Sequence, residues 1–222
     1  MAARERLLIP AIQQPFSGRF RNEDEYRYFQ LYRTKTAYYL GGHFESDLWT
    51  KIILQASESE EYVRDAVIAL GALSMTNSML QEPRYHGAPG TNPAVMPREK
   101  KIETSKEHYL FALRHYSQAI EKMKEAVVLT NAGLRAALIA SLLIICFETY
   151  HGNFQSADRQ VKVIAGLLKE YCSNTKNQKI PARPITEIIE QDLIEAVIRL
   201  GNRKWQDINC LWRQILGGQT TI

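Results

Sequence analysis

The spacing of apolar residues follows the period of an α-helix along almost the whole chain. Apolar side chains recur at steps of three and four residues, which places them on one face of each helix. Asn22 offers an N-cap for the first such segment, and Gly41-Gly42 follows its last apolar residues, as a helix end requires. Strand-like alternation of useful length does not occur in the sequence. The pattern therefore predicts an all-α fold, a single compact domain of six or seven helices.

Two predicted helices have distinctive patterns. From Ile102 to Val128 the three-four spacing is the most regular in the chain. The next segment, from Leu134 to Phe147, is apolar almost all round, so we expect other helices to surround it, with Leu142 at the deepest core position. Its apolar stretch, Ala136 to Phe147, rises about 18 Å as a helix, too little to cross a hydrocarbon layer of about 30 Å. The expectation is a soluble intracellular protein.

Helix-breaking residues set the expected domain organisation. Prolines and glycines predict a flexible loop at 81–101 and a flexible linker at 172–184, because proline fixes φ and lacks a backbone donor. The expected units are a flexible N-terminus at 1–21, a helical domain at 22–200 and a C-terminal tail at 201–222.

Charge and cysteine content exclude several classes of function. The chain has 28 basic and 24 acidic residues, and this mild excess does not demand a nucleic-acid partner. Cys146, Cys172 and Cys210 form no CxxC pair, which argues against zinc ribbons and thioredoxin-type motifs and favours a reducing compartment. One acid-free basic stretch, containing Lys176, Lys179 and Arg183, would neutralise at most about three phosphates.

Motifs of catalysis and metal binding are missing from the sequence. Nucleotide-binding glycine loops, HExxH, GxSxG and EF-hand loops do not occur. His108 and His115 lie two helical turns apart, too far to chelate one ion, and are interpreted as solvated or packing residues. Glu148 and His151 have the Glu-x-x-His spacing of di-metal carboxylate proteins, but the second copy such a site needs is missing. We interpret Glu148 as an end-of-helix carboxylate paired with a base or a backbone donor. The chain is expected not to be an enzyme, with no catalytic, cofactor-binding, metal-binding or DNA-binding residues and no cofactor.

Four stretches, taken in order, have a pattern of their own: FQLYRTKTAYYLGGHFESDLW at 29–49, LQASESEEYVRDAVIALGALS at 54–74, ALRHYSQAIEKM at 112–123 and LIASLLIICFETYHGNFQSADRQVKVIAGLL at 138–168. Together they resemble the fungal-specific transcription factor domain, the regulatory region of fungal zinc-cluster transcription factors. The resemblance covers roughly residues 25–200 and implies a transcription-regulatory domain that acts in the nucleus. An alternative is a tetratricopeptide-like adaptor, because 116–126 is similar to one helix of such a repeat, although no second copy follows in register.

The sequence departs from the family pattern in two respects. Family members carry an N-terminal six-cysteine cluster that grips DNA, and their helical region continues further than this chain. The resemblance therefore implies a version without its own DNA-reading element, either a fragment, a truncated paralogue or an incomplete gene model.

Helices absent from this chain would leave apolar faces exposed, so we expect the protein to self-associate or to bind a protein partner. We expect no membrane contact. Whether a small-molecule effector binds is left open. The candidate interaction face consists of Leu193, Ile194, Val197, Ile198, Trp205, Leu211 and Trp212.

Overall fold

Seven α-helices and two π-helical turns form the part of the chain described by the computed structural model, residues 18–41, 47–80, 97–130, 134–177 and 192–196. The helices are α1 (Glu23–Leu31), α2 (Ala37–Gly41), α3 (Ile53–Ser59), α4 (Glu61–Leu80), α5 (Arg98–Thr130), α6 (Leu134–His151) and α7 (Phe154–Asn177), and the π-helical turns are Tyr32–Thr36 and Leu48–Ile52. These ranges contain no strand, and the all-α prediction is confirmed.

Two helices extend into segments that the sequence predicts as flexible. α5 begins at Arg98, directly after Pro97, so 98–101 is helical rather than part of the predicted loop. α7 continues to Asn177, because no proline interrupts the chain before Pro181. In the predicted last helix the structure describes only 192–196, which is helical, and the expected tail at 201–222 lies outside the described residues.

α6 is the central helix. Every residue from Leu138 to Thr149 is buried, and Leu142 has 0% exposure, as the all-round apolar pattern predicts. By length and composition α6 is the one described helix that could cross a membrane, with a mean hydropathy of 1.4. Of that stretch, 67% is buried inside the fold, and α4, α5 and α7 all pack against it. Helix packing thus accounts for its apolar surface.

α4 and α5 form a closely packed antiparallel pair. The buried positions of α5 recur at three-four steps, and all carry small or polar side chains. They are Ser105, His108, Ala112, His115 and Ala119. The pairing direction follows from two contacts: Ser105 donates to the carbonyl of Thr76, and His115 contacts Asp65. The small side chains let α4 and α5 approach closely, and the polar side chains form hydrogen bonds with residues of the facing helices.

Gly71 is where α1 packs on α4. A Cβ at this position would lie 2.9 Å from the carbonyl carbon of Tyr28 and closer still to its oxygen. Since backbone atoms cannot swing aside as a side chain does, any larger residue must push the two helices apart. The glycine at position 71 therefore permits the close approach of α1 to α4.

Gly71→Ala is expected to destabilise the domain by about 1–2 kcal/mol, because overpacking outweighs the roughly 1 kcal/mol that alanine gains in helix propensity. Gly166→Ala in α7 is the matched control, since its Cβ would meet nothing within 4 Å. The control should be neutral or more stable than the unmodified chain in urea denaturation. Equal stabilisation by both substitutions would contradict the close contact at Gly71.

Candidate functional site

A buried carboxylate lies at the centre of a polar network between α1, α4 and α5. Asp65, 2% exposed, sits among the apolar residues of α4. His115 Nδ1 donates to its Oδ1 at 2.9 Å, and Lys122 Nζ donates to its Oδ2 at 2.7 Å. Arg21 adds a guanidinium contact to Oδ1 at 3.0 Å. Both oxygens of this carboxylate are therefore satisfied, as a buried charge requires.

The N-terminus of α1 supplies a second buried carboxylate to the same network. The side chain of Asn22 accepts the backbone N–H of Glu25 at 2.9 Å, which caps the helix. Glu25 in turn accepts the backbone N–H of Arg21 at 2.8 Å and contacts its guanidinium at 3.1 Å. His115 Nε2 lies 3.7 Å from Glu25 Oε1. The imidazole of His115 is thus enclosed by two carboxylates, one from α1 and one from α4.

Charge pairing keeps Asp65 and Lys122 ionised. Burial alone would raise the pKa of Asp65, but hydrogen bonds from His115 and Lys122, together with the charge of Lys122, hold that pKa below its usual value. Burial alone would lower the pKa of Lys122. Its hydrogen bonds to Asp65 and Glu61 outweigh that effect, so the pKa of Lys122 is raised. The hydrogen bond from Lys122 lowers the pKa of Glu61. The arrangement acts as an electrostatic clamp on three helices.

A second polar chain joins α1 to α5. Arg27 donates to the Tyr28 hydroxyl at 2.9 Å, and that hydroxyl lies 2.6 Å from Nδ1 of His108. While the hydroxyl accepts from Arg27, its own proton is free to be donated to Nδ1 of a neutral His108 imidazole. Burial, with the nearby charge of Arg27, lowers the pKa of His108. His108 is therefore neutral in the folded domain.

The domain is expected to lose stability as the pH falls below about 6.5, the ordinary pKa of histidine. His108 takes up a proton readily only when unfolded, so acid favours the unfolded chain in this range. Urea midpoints at about pH 7.5 and about pH 5.5 measure the loss. His108→Gln should reduce the difference between the two urea midpoints. The other titrating groups contribute equally to the variant and to the unmodified chain. An unchanged dependence in the variant would contradict the assignment.

Glu148 and His151 serve different contacts. Glu148 is buried and accepts hydrogen bonds from the hydroxyls of Tyr116 and, at 3.1 Å, Ser156. His151 is exposed and hydrogen-bonds to Tyr109. The predicted base or backbone partner of Glu148 is thus replaced by two hydroxyls, which join α6 to α5 and α7. Among the described residues no group of three or more His, Cys, Asp or Glu is placed to hold a metal ion.

The predicted interaction face is only partly described. Leu193 has 0% exposure and belongs to the core, so it is not available to a partner, and Ile194 packs against that core. The other predicted members lie outside the described residues. They are Val197, Ile198, Trp205, Leu211 and Trp212.

The sequence interpretation missed the ionic network. His108 and His115, taken as solvated or packing residues, are both buried and hydrogen-bonded. Two signals were available. Asp65 directly precedes the apolar stretch 66–73, and the histidines occupy inward heptad positions that they share with alanines. A buried histidine facing a buried aspartate is the simplest explanation of both.

The comparisons with known proteins give one match. A family model described as fungal specific transcription factor domain matches residues 27–196, more than two thirds of the chain. Neither the curated proteins nor the solved structures contain a match. The matched segment includes α2 to α7 whole. It also contains Asp65, His115 and Lys122, the members of the network that lie on α4 and α5. The tetratricopeptide alternative gains no support.

Proposed function

Because the chain belongs to the fungal specific transcription factor domain family, we propose that it regulates transcription as a helical interaction domain of the zinc-cluster type and acts in the nucleus. The observation that carries the proposal is the family match over residues 27–196. This family is one of transcription factors rather than enzymes, and the proposed role is accordingly non-catalytic.

The buried polar contacts support a role in which the domain provides a firm surface. Asp65, Glu25 and Glu148 are all buried, and protein groups satisfy each of them. Such contacts fix the relative positions of α1, α4, α5, α6 and α7. A fixed helical body is suited to presenting a binding surface to other proteins.

We further propose that the partner contact involves the C-terminal third, on sequence grounds alone. Trp205, Leu211 and Trp212 are large apolar residues in a short segment, and tryptophan is the residue most enriched among binding hot spots. The partner would be a second copy or another transcription regulator. Sequence-specific DNA binding by these 222 residues is not part of the proposal, because the basic excess is small.

A tethered reporter assay tests the proposed function. The full chain is fused to an unrelated DNA-binding module whose site lies upstream of a reporter gene. We expect transcription to change, up or down, relative to the module alone, and we expect the double variant Trp205→Ser, Trp212→Ser to reduce the change. Leu110→Ser, an exposed position on α5, is the control for a surface substitution. A reporter level equal to that of the module alone contradicts the proposal.

A further inference from the structure

The π-helical turn Tyr32–Thr36 carries two of the buried hydroxyls that have no hydrogen-bond partner among the described residues. They belong to Tyr32, 0% exposed, and Thr36, 3% exposed. These residues begin and end the π-helical turn Tyr32–Thr36, and a separation of four residues places them close to one face of it. A buried hydroxyl without a partner is costly, and π-helical turns occur frequently at functional sites.

The Thr36 hydroxyl lacks the backbone partner that other threonines of this domain have. Thr34, Thr76 and Thr149 each donate to the carbonyl four residues earlier, the usual partner of a helical threonine. For Thr36 that carbonyl belongs to Tyr32, which accepts the N–H of Ala37 in the π-helical turn. The Thr36 hydroxyl makes no such bond and is left available in the interior.

The surroundings of these hydroxyls are uncharged and closed to solvent. The Cys146 thiol of α6 lies near enough to Tyr32 to affect its ionisation, and it is buried as well. Burial raises the pKa of Cys146 to about 12 and that of Tyr32 well above its usual value, so both groups are neutral. Ala37, the residue that follows Thr36, is apolar and buried. An ion would lose its hydration here without compensation, whereas a neutral molecule would not.

We propose that the hydroxyls of Tyr32 and Thr36, beside the Cys146 thiol, form an internal binding site for a small uncharged molecule that both donates and accepts hydrogen bonds. Water and a small organic alcohol or amide share this chemistry. The site lies where the π-helical turn Tyr32–Thr36 packs on α4. The inference does not depend on the proposed role in transcription.

Isosteric substitutions give opposite results for an occupied and an empty site. Tyr32→Phe and Thr36→Val remove only the hydroxyls. In an occupied site each loses a hydrogen bond, and the midpoint of urea denaturation should fall. In an empty site each removes an unsatisfied polar group, and the midpoint should rise. Tyr38→Phe is the control, since Tyr38 is 63% exposed, and its midpoint should not change. A rise for both core variants overturns the proposal.

A crystal structure of the unmodified chain, with native mass spectrometry of the same sample, identifies the occupant. A water-sized peak within hydrogen-bond distance of both hydroxyls supports the site with water as the ligand. Larger connected density with a matching mass adduct supports an organic ligand. Hydroxyls bonded only to protein atoms, absent density, or density for a crystallisation additive without an adduct overturn the proposal, whatever the variants show.

Discussion

Asp65→Ala is expected to destabilise the domain by about 3–5 kcal/mol, a large part of the stability of an ordinary domain. The substitution removes the anion shared by Arg21, His115 and Lys122. His115 is 3% exposed and would be left beside Glu25 alone. Most of the expected loss comes from the buried His115, whose Nδ1–H loses its acceptor, rather than from the carboxylate itself.

Urea denaturation of the purified variants measures this effect, with Asp65→Asn as a second variant that keeps the size of the side chain. Asp47→Ala is the matched control, because Asp47 forms an ion pair with Lys51 in which both side chains are largely exposed. Asp47→Ala should lower the free energy of unfolding by about 0–1 kcal/mol. A destabilisation at Asp65 no larger than at Asp47 would contradict the clamp between α1, α4 and α5.

The helices were predictable because their signals are local. The apolar pattern around Leu142 predicts a surrounded helix without knowledge of its neighbours. The predicted helix ends were less accurate, because they depend on the exact position of the last helix-breaking residue. The charged stretch 98–101 follows the last proline of the loop and therefore joins α5.

The ionic network and the π-helical turns could not be derived in the same way. Asp65 and His115 are fifty residues apart, and their contact requires the antiparallel register of α4 and α5, which a three-four pattern does not specify. A π-helical turn such as Tyr32–Thr36 shifts the register by one residue over a single turn. That shift is too small to alter the apolar spacing of a short segment, so neither unpartnered hydroxyl was foreseen.

Leu142→Ala is expected to cost about 2–5 kcal/mol, because the surrounding helices can close only part of the space that the lost side-chain atoms filled. Leu142 is fully buried on a helix enclosed by α4, α5 and α7. Leu110→Ala is the same substitution on a side chain that is 52% exposed, and it should cost far less. Urea denaturation of both variants separates lost packing from the intrinsic effect of replacing leucine by alanine. A cost at Leu142 under about 1 kcal/mol would mean that α6 is not the core of the domain.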